Sequence, residues 1–273
     1  MTYDPFDLSG RVAVITGGFG VLGGSMAEGL AKAGVRIAVL GLEQAAADAK
    51  AAQLRELGSD AFGIEANVLE REPLLRARDE VMKRWGKIDI LINAAGGNVA
   101  RARTDAGPVF GLPFDAFDEV VRLNLHGSVY PTLIFGEAMA ERESGTGSIV
   151  NISSMAALTA ISGVLGYSVA KAGIDNFTRW MAVDLARRNG AKVRVNAIAP
   201  GFFVSTQNRA VLVNPDGSYT ERSQRILAQT PMGRFGDASE LIGVVHWLCS
   251  DASSFVTGTV IPVDGGFSIY SGV

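Results

Sequence analysis

Short runs of apolar residues recur along the 273-residue chain, and most of them are separated by segments long enough to form a helix. The runs cover residues 11–16, 36–40, 61–66, 88–94, 147–153, 193–199 and 259–264. Strands that are apolar on both faces and alternate with helices are typical of a parallel sheet that is covered on both sides. The pattern predicts a single doubly wound α/β domain over residues 1–273, with a seven-stranded, mainly parallel sheet and helices on both faces.

Helices are expected between these strands, for example over residues 43–57, 70–86 and 166–189. The alternation is interrupted once, at residues 202–232, between the sixth and seventh apolar runs. A connection of this length near the end of a strand is more typical of a substrate lid than of a simple connector. We therefore expect a lid at residues 202–232.

Charge and composition exclude several classes of partner. Hydrophobic residues make up 48% of the chain, and the acidic and basic residues are interspersed with a net charge of −3. Because there is no basic stripe and no polybasic cluster, neither nucleic acid nor a membrane is an expected partner. Cys249 is the only cysteine, which excludes an internal disulfide and is typical of a reducing compartment. The amino-terminal residues lack an apolar signal-peptide core, so we expect a cytoplasmic protein.

A glycine-rich turn directly follows the first predicted strand and contains Gly17, Gly18, Gly20 and Gly23. Glycines at such a turn let the backbone approach a pyrophosphate, whose negative charge is stabilised at the amino terminus of the next helix. The pattern also fits a tight turn without a ligand. Its place at the start of an alternating α/β chain favours a Rossmann-type nucleotide site.

The end of the second predicted strand bears on the choice between NAD and NADP. An acidic residue there accepts the ribose hydroxyls of NAD, whereas a nearby arginine accommodates the 2′-phosphate of NADP. The strand leads into Gly41, Leu42 and Glu43 without an arginine, and Lys50 lies further along the next helix. Glu43 therefore favours NAD(H) over NADP(H), although it also fits a solvated acidic residue in the first turn of a helix.

Tyr167 and Lys171 are four residues apart in a predicted helix, and Ser154 lies thirteen residues before the tyrosine. Residues at the first spacing share a helix face, so the lysine ammonium is expected beside the phenol. A neighbouring positive charge favours phenolate and predicts a pKa of Tyr167 below its usual value of about 10, which suits a general acid or base. The spacing alone is common on amphipathic helices, so its meaning depends on the surrounding motifs.

Several motifs that follow one another along the whole chain resemble the short-chain dehydrogenase/reductase family. They are the glycine turn after Thr16, the NAAG segment at 93–96, Asn124, the Ser154, Tyr167 and Lys171 set, the NAIAPG segment at 196–201 and the VDGG segment at 263–266. Shorter stretches, including residues 94–98, 199–204 and 230–236, are similar to the D-mannonate oxidoreductase (fructuronate reductase) branch of that family.

The resemblance implies a role for each member of a catalytic set. Ser154 would hydrogen-bond the substrate oxygen, Tyr167 would donate or remove its proton, and Lys171 would hold the nicotinamide ribose and keep the pKa of the tyrosine low. Asn124 would anchor a water that links Lys171 to solvent. In purely structural terms the four residues also fit a helix N-cap, a half-buried aromatic, a solvated lysine and a core amide. Because all four residues occur together at the spacings of the family, the catalytic interpretation is favoured over the structural ones.

The resemblance also implies which residues contact a nicotinamide cofactor. They are Gly17, Gly18, Phe19, Gly20, Val21, Leu22, Gly23, Gly41, Glu43, Asn67, Val68, Asn93, Ala94, Ala95, Gly96, Tyr167, Lys171, Pro200, Gly201, Phe203 and Ser205. Val21 stands where the family has the middle glycine of the turn, Asn67 replaces an aspartate near the adenine, and Ser205 replaces a threonine near the nicotinamide. Binding is still expected, because an amide can serve for the carboxylate and serine keeps the hydroxyl.

The expected substrate is a small carbonyl compound or the corresponding alcohol. Candidate contacts with it are Asn98, Met155, Gln207, Asn208 and Arg209. The resemblance to the D-mannonate oxidoreductase branch implies a sugar acid of the D-fructuronate or D-mannonate type, and the guanidinium of Arg209 could bind its carboxylate through two parallel hydrogen bonds. Arg209 fits a surface salt bridge equally well, and Arg101 and Arg103 have the same two interpretations. Because neither histidine nor Cys249 has metal-ligand spacing, no metal site is expected.

Two other functions stay open at this point: a reductase of another ketone, such as a 3-oxoacyl thioester or a polyol-derived ketone, and a non-catalytic nucleotide-binding sensor. The complete catalytic set argues against the sensor. The resemblance further implies a homotetramer that is built on the long helices around residues 113–143 and 166–189.

Overall fold

The computed structural model describes residues 3–105, 107–142, 146–190, 192–205 and 208–272. The strands are β1 (Val12–Thr16), β2 (Arg36–Gly41), β3 (Ala61–Glu65), β4 (Ile90–Asn93), β5 (Gly147–Ile152), β6 (Val193–Pro200) and β7 (Val260–Val263). They form a seven-stranded sheet in the order β3-β2-β1-β4-β5-β6-β7, and every neighbouring pair is parallel. Each strand coincides with a predicted apolar run, so the doubly wound α/β prediction is confirmed.

The helices lie between the strands, as the alternation predicts. They are α1 (Val21–Lys32), α2 (Gln44–Glu56), α3 (Arg71–Trp85), α4 (Phe114–Val121), α5 (Gly127–Ala140), α6 (Leu165–Arg188), α7 (Arg209–Leu212), α8 (Glu221–Gln229) and α9 (Ile242–Cys249). A π-helical segment, Arg122–His126, joins α4 to α5. In the described part of the chain, no helix combines the length and the hydrophobicity needed to cross a membrane.

Apolar side chains cover both faces of the sheet. Successive strand residues point to opposite faces, so Ala13 and Ile15 of β1 join one buried cluster, whereas Val12 and Val14 join the other. The first cluster includes residues of α1, α2 and α9, and the second includes residues of α3, α5 and α6. Burial on both faces explains why the strand sequences are apolar without alternation.

The carboxyl ends of β1, β4 and β5 lie side by side. Their register pairs Thr16 with Asn93 and Asn93 with Asn151. The glycine turn after β1, the segment after β4 and the serines after β5 therefore converge at one edge of the sheet. The strand order reverses between β1 and β4, and ligands of doubly wound sheets bind at such a point.

The insertion at residues 202–232 contains α7 and α8, and an isolated antiparallel bridge joins Val213 to Tyr219 between them. Arg222 on α8 donates a hydrogen bond of 3.4 Å to the carbonyl of Ser162, shortly before α6 begins. The insertion thus contacts the loop that leads into the helix carrying Tyr167 and Lys171.

Candidate active site

Tyr167 and Lys171 lie in the first turns of α6, as predicted. The ammonium nitrogen of Lys171 is 5.4 Å from the centre of the Tyr167 ring. It donates a hydrogen bond of 2.6 Å to the carbonyl of Ile152, at the end of β5. Lys171 is only 4% exposed, so the interpretation as a solvated lysine is wrong.

Ser154 lies at the carboxyl end of β5, next to this pair. Its hydroxyl is hydrogen-bonded to Tyr167. Its Oγ also accepts a hydrogen bond of 3.1 Å from the amide of Ala156, and it thereby caps the short 3-10 helix Met155–Ala157. The capping and catalytic interpretations are therefore compatible, because the cap helps to hold the hydroxyl where it meets the phenol.

Burial determines the pKa values of both α6 side chains. It raises the pKa of the Tyr167 phenol, and the hydrogen bond with Ser154 acts in the opposite direction. The pKa of Tyr167 is thus raised and not lowered, so the prediction of a lowered pKa is wrong for the groups of the protein itself. Burial also lowers the pKa of Lys171 to about 8, while the charge of Asp175 raises it. The site therefore holds a neutral phenol beside a lysine that titrates in an accessible pH range.

Asn124 is fully buried in the π-helical segment. Its Oδ1 accepts from the amide of Gly97 at 3.0 Å, and its Nδ2 donates to the carbonyls of Gly97 and Val120 at 2.8 and 2.9 Å. A β-carbon at Gly96 would lie 2.8 Å from this Oδ1 and 3.6 Å from the Lys171 nitrogen, so both side chains face Gly96. The amide thus stabilises the turn beside Lys171, as the core-amide interpretation expects, and its link to a water stays a prediction.

Two buried polar residues beside this set were missed by the sequence reasoning. Asp175 follows Lys171 by one helical turn on α6, and Ser153 directly precedes Ser154. The Ser153 hydroxyl donates a hydrogen bond of 2.5 Å to Asp175 Oδ1. The spacing of four residues after Lys171 is a signal that could have indicated Asp175, because such residues share a helix face.

The glycine turn after β1 forms a cradle that side chains would fill. Gly17 has a φ of 62°, which favours glycine, and a β-carbon there would lie 2.9 Å from the carbonyl oxygen of Ala94. A β-carbon at Gly23 would lie only 2.4 Å from the carbonyl oxygen of Gly17. The turn leads into α1, which has Gly20 as its N-cap and no acidic residue in its first turn. An amino terminus without a side-chain cap suits an anion such as a pyrophosphate, so these residues fit a dinucleotide.

Phe19 and Gly41 pack together at the end of β2. A β-carbon at Gly41 would lie 1.9 Å from Cε1 of Phe19, so the ring can lie there only because residue 41 is glycine. Glu43 is exposed at the N-cap position of α2 and makes no capping hydrogen bond with its side chain. Lys50 forms an ion pair with Glu28 on α1. The carboxyl end of β2 therefore presents an aromatic ring and a carboxylate, and the ammonium of Lys50 is already paired.

Two predicted cofactor residues use their side chains within the protein. Asn93 donates hydrogen bonds of 2.8 Å to Thr132 on α5 and to Asn151 on β5, inside the core. The Oδ1 of Asn93 is also buried and has no hydrogen-bond partner among the described residues. Asn67 donates to Glu70 at 2.7 Å, just before α3 begins.

The segment after β6 is held by close backbone contacts. A β-carbon at Gly201 would lie 2.6 Å from the α-carbon of Asp264, so the two segments meet without room for a side chain. Asn208 accepts from the amide of Ser205 at 2.7 Å and donates to the carbonyl of Phe203 at 2.8 Å. Asn208 therefore stabilises the turn that carries Ser205, a structural role that the sequence did not indicate.

The other predicted substrate contacts differ in exposure. Met155 directly follows Ser154 and is buried, whereas Asn98 is exposed just after the Gly97 turn. Gln207 lies outside the described residues, so the structure does not test it.

The three arginines that are candidate substrate contacts fall into two groups. Arg101 forms an ion pair with Asp115 at 2.5 Å, and Arg103 forms one with Asp105, so the salt-bridge interpretation holds for both. Arg209 is exposed at the start of α7 and forms no ion pair with a carboxylate of the described residues. Of the three arginines that the sequence singled out, Arg209 is therefore the one whose charge is not already matched within those residues.

Relatives in known proteins extend over nearly the whole chain. The family model that matches residues 20–268 is described as enoyl-(acyl carrier protein) reductase. UxuB of Bacillus subtilis (strain 168), an uncharacterized oxidoreductase, is 42% identical over 98% of both chains. The 3-oxoacyl-[acyl-carrier-protein] reductase FabG of Aquifex aeolicus is 36% identical over 95% of this chain and 98% of its own.

Several solved structures with the same fold contain a dinucleotide. A protein from Haemophilus influenza with bound NAD, provisionally identified as a D-mannonate oxidoreductase, is 41% identical and has a TM-score of 0.90 over 98% of both chains. A gluconate 5-dehydrogenase from Burkholderia cenocepacia J2315, in complex with NADP and tartrate, is 33% identical and has a TM-score of 0.86 over 97% of this chain and 98% of its own. These similar structures thus include one with NAD and one with NADP.

Proposed function

The chain belongs to the short-chain dehydrogenase/reductase family, and we propose that it interconverts a keto sugar acid and the corresponding secondary alcohol. It is an NAD(P)-dependent oxidoreductase, because its relatives are oxidoreductases over nearly its whole length. The observation that supports the proposed reaction is the meeting of the Ser154 hydroxyl, the Tyr167 phenol and the Lys171 ammonium at the carboxyl end of β5. A non-catalytic sensor would have no use for this set.

Ser154 and Tyr167 would act together on the substrate oxygen. Ser154 would donate a hydrogen bond that polarises the carbonyl, and Tyr167 would donate its phenolic proton as the alcohol forms. A nicotinamide cofactor supplies the hydride in this direction and accepts it in the reverse direction. Because the pKa of Tyr167 is raised by burial, the phenol holds its proton at neutral pH, which suits proton donation.

Lys171 would hold the nicotinamide ribose and stabilise the charge that develops on Tyr167. An ammonium group has three donors, and one of them is used on the carbonyl of Ile152. The other donors are available for ribose hydroxyls on the side that faces Gly96. We also propose that Asn124, through the backbone of the π-helical segment, holds the water that connects Lys171 to solvent.

NAD(H) is the cofactor that we propose over NADP(H). The exposed carboxylate of Glu43 would repel a 2′-phosphate, and the ammonium of Lys50 is already paired with Glu28. The similar structure with bound NAD supports the same choice. Equilibrium titration with both reduced cofactors tests it, and a preference for NADPH above tenfold, about 1.4 kcal/mol, would overturn it.

We propose a sugar acid as the substrate because of the exposed guanidinium of Arg209 and because of the names of similar proteins. An exposed guanidinium without a partner carboxylate among the described residues can bind the carboxylate of a substrate through two parallel hydrogen bonds. Similar structures carry the names D-mannonate oxidoreductase and gluconate 5-dehydrogenase. The second candidate is a 3-oxoacyl thioester, which the family description and the FabG relative favour.

A spectrophotometric panel separates these substrates. NADH and NADPH are each combined with D-fructuronate, with neutral ketones and with a 3-oxoacyl thioester. We expect NADH to be oxidised with the keto sugar acid, and Tyr167→Phe to lower that rate by about 10²–10⁴-fold while NADH still binds. Oxidation with the thioester alone would replace the proposed substrate, and a fully active Tyr167→Phe would refute the role of the phenol.

Arg209→Met tests the carboxylate contact directly. We expect its KM for the keto sugar acid to rise at least tenfold, about 1.4 kcal/mol, with no change toward a neutral ketone. Arg101→Met is the matched control, because Arg101 is an exposed arginine that is already paired with Asp115. Equal effects of both variants would remove Arg209 from this role.

We further propose that residues 202–232 form a lid over the substrate and that the enzyme is a cytoplasmic homotetramer. The contact between Arg222 and Ser162 supports the lid, because it joins the insertion to the loop before α6. An exposed apolar stripe on α6 supports self-association and includes Trp180 and Val183, which are 62% and 59% exposed. The single, buried Cys249 is compatible with a reducing compartment.

A further inference from the structure

A buried carboxylate lies behind the proposed catalytic residues and contacts none of the reacting atoms. We infer that Asp175 is a positioning residue, which holds Ser154 in place through Ser153 and holds Lys171 as a cation through its own negative charge. This inference rests on the proposed function in so far as that function assigns roles to Ser154 and Lys171.

The contact with Ser153 fixes the end of β5. Ser153 and Asp175 are 1% and 4% exposed, and the serine hydroxyl donates a hydrogen bond of 2.5 Å to the carboxylate. The amide of Ser153 donates to the carbonyl of Ile198 on β6 at 2.7 Å. Ser153 is thus held by its backbone on one strand and by its side chain on α6. Ser154 follows directly, so the carboxylate helps to determine where its hydroxyl lies.

The charge of Asp175 acts on Lys171 from one helical turn away. The groups that face the ammonium are the carbonyl of Ile152 on β5, the phenol of Tyr167 on α6 and the amide of Asn124 on the π-helical segment, and all of them are neutral. Asp175 is the one charged group among the described residues that acts on the pKa of Lys171.

Asp175 itself has three neighbours that favour its ionised form. Burial raises the pKa of Asp175, and the hydrogen bond from Ser153 and the positive charges of Arg179 and Lys171 act in the opposite direction without cancelling that shift. The exposed Arg179 lies one further turn along α6. A carboxylate with these neighbours can carry its charge at neutral pH despite its burial.

A purely structural role does not require the charge. An asparagine at position 175 could accept the hydrogen bond from Ser153 without the free-energy cost of burying a carboxylate. The charge instead offsets the effect of burial on Lys171, which alone would neutralise the lysine at a lower pH. The two contacts of Asp175 can therefore be separated by substitution.

Titration of Lys171 in the cofactor-free protein tests the charge without any substrate. The probe is the ε-carbon resonance of ¹³C-labelled lysine, which is assigned with Lys171→Arg. We expect a pKa of about 8 in the native protein, and a value lower by about 1 unit or more in Asp175→Asn. Asp184→Asn, a change of another aspartate on α6, is the control and leaves the titration unchanged. An unchanged pKa of Lys171 in Asp175→Asn would overturn the proposed charge effect.

Kinetics test the contact with Ser153. Ser153→Ala keeps the carboxyl group of Asp175 but loses the hydrogen bond, so we expect kcat to fall about tenfold to a hundredfold, with the KM nearly unchanged. Asp175→Glu keeps the charge but displaces the carboxylate. The pKa of Lys171 should therefore stay near its native value, whereas kcat should be lower than in the native enzyme. If Asp175→Asn does not fold, these two variants decide: native kcat in both would overturn the positioning role.

The outcomes also separate this inference from the proposed function. If the native enzyme reduces a neutral ketone or a thioester instead of a sugar acid, the same variants are measured with that substrate. A lowered pKa of Lys171 in Asp175→Asn, in a protein that reduces no carbonyl, would refute the proposed function and leave the charge effect standing.

Discussion

The Lys171 ammonium donates a hydrogen bond of 2.6 Å to the carbonyl of Ile152, two residues before Ser154. This bond joins α6, which carries the phenol and the ammonium, to the strand that ends at the serine. A buried ammonium needs hydrogen-bond partners, so the same bond reduces the cost of its burial. A substitution that moves the end of β5 is therefore expected to move Lys171 as well.

Activity is expected to fall as the pH rises through about 8, because burial lowers the pKa of Lys171 to that value. Above it the lysine is neutral, whereas the Tyr167 phenol stays protonated because its pKa is raised. The measurement is kcat/KM for NADH against pH, which reports groups of the free enzyme. Lys171→Arg keeps its charge at these pH values, so any activity that it retains should not show this decline. A decline near pH 8 that persists in Lys171→Arg would assign it to another group.

Gly23→Ala is expected to damage the dinucleotide cradle. Its β-carbon would lie 2.4 Å from the carbonyl oxygen of Gly17, and that contact is with backbone, which cannot turn away as a side chain can. We expect the Kd for NADH to rise at least tenfold and the Tm to fall. Gly243→Ala in α9 is the matched control, because nothing lies within 4 Å of its β-carbon, and alanine there should add about 0.5–1 kcal/mol of stability. Equal Kd values in both variants would show that the turn tolerates a side chain.

The contact between Phe19 and Gly41 should show energetic coupling. Gly41→Asp alone places its β-carbon 1.9 Å from the ring of Phe19 and is expected to weaken the binding of both cofactors. When Phe19→Ala is added, the ring no longer occupies this space, and the new carboxylate can accept ribose hydroxyls and repel a 2′-phosphate. The double variant should therefore bind NADH more tightly than Gly41→Asp and discriminate more strongly against NADPH. Fluorescence titration of all four proteins gives the coupling, and simple additivity would contradict the contact.

Trp180→Glu is expected to break the proposed tetramer into smaller assemblies. Leu165, Val169, Trp180 and Val183 lie on one face of α6 at helical spacing, with exposed fractions from 42% to 62%. A charge in the middle of an apolar interface is costly, because it is desolvated without a partner. Light scattering after size exclusion measures the mass, and Leu57→Glu, an exposed leucine just after α2, is the control. If the native protein is already monomeric, this face of α6 does not mediate self-association.

The sequence by itself determined the order of strands and helices, because burial on both faces of a parallel sheet leaves a continuous apolar pattern in each strand. It also determined that the glycine turn follows β1 and that Tyr167 and Lys171 share a helix face. These features depend on neighbours within a few residues, or on a repeat that the chain carries in its own order. For the same reason, Asn124, Ser154 and the glycines could be selected from spacing and from resemblance.

The tertiary structure decided what these groups experience. Burial raises the pKa of Tyr167 in spite of the hydrogen bond with Ser154, which lowers it, and against the expectation from Lys171 alone. Ser153 and Asp175 are 22 residues apart in the chain, and they meet only because α6 packs beside the end of β5. Phe19 reaches Gly41 only because β1 and β2 are paired. Burial, pKa values and the pairing of charges depend on contacts between segments that are distant in sequence, and no local pattern carries that information.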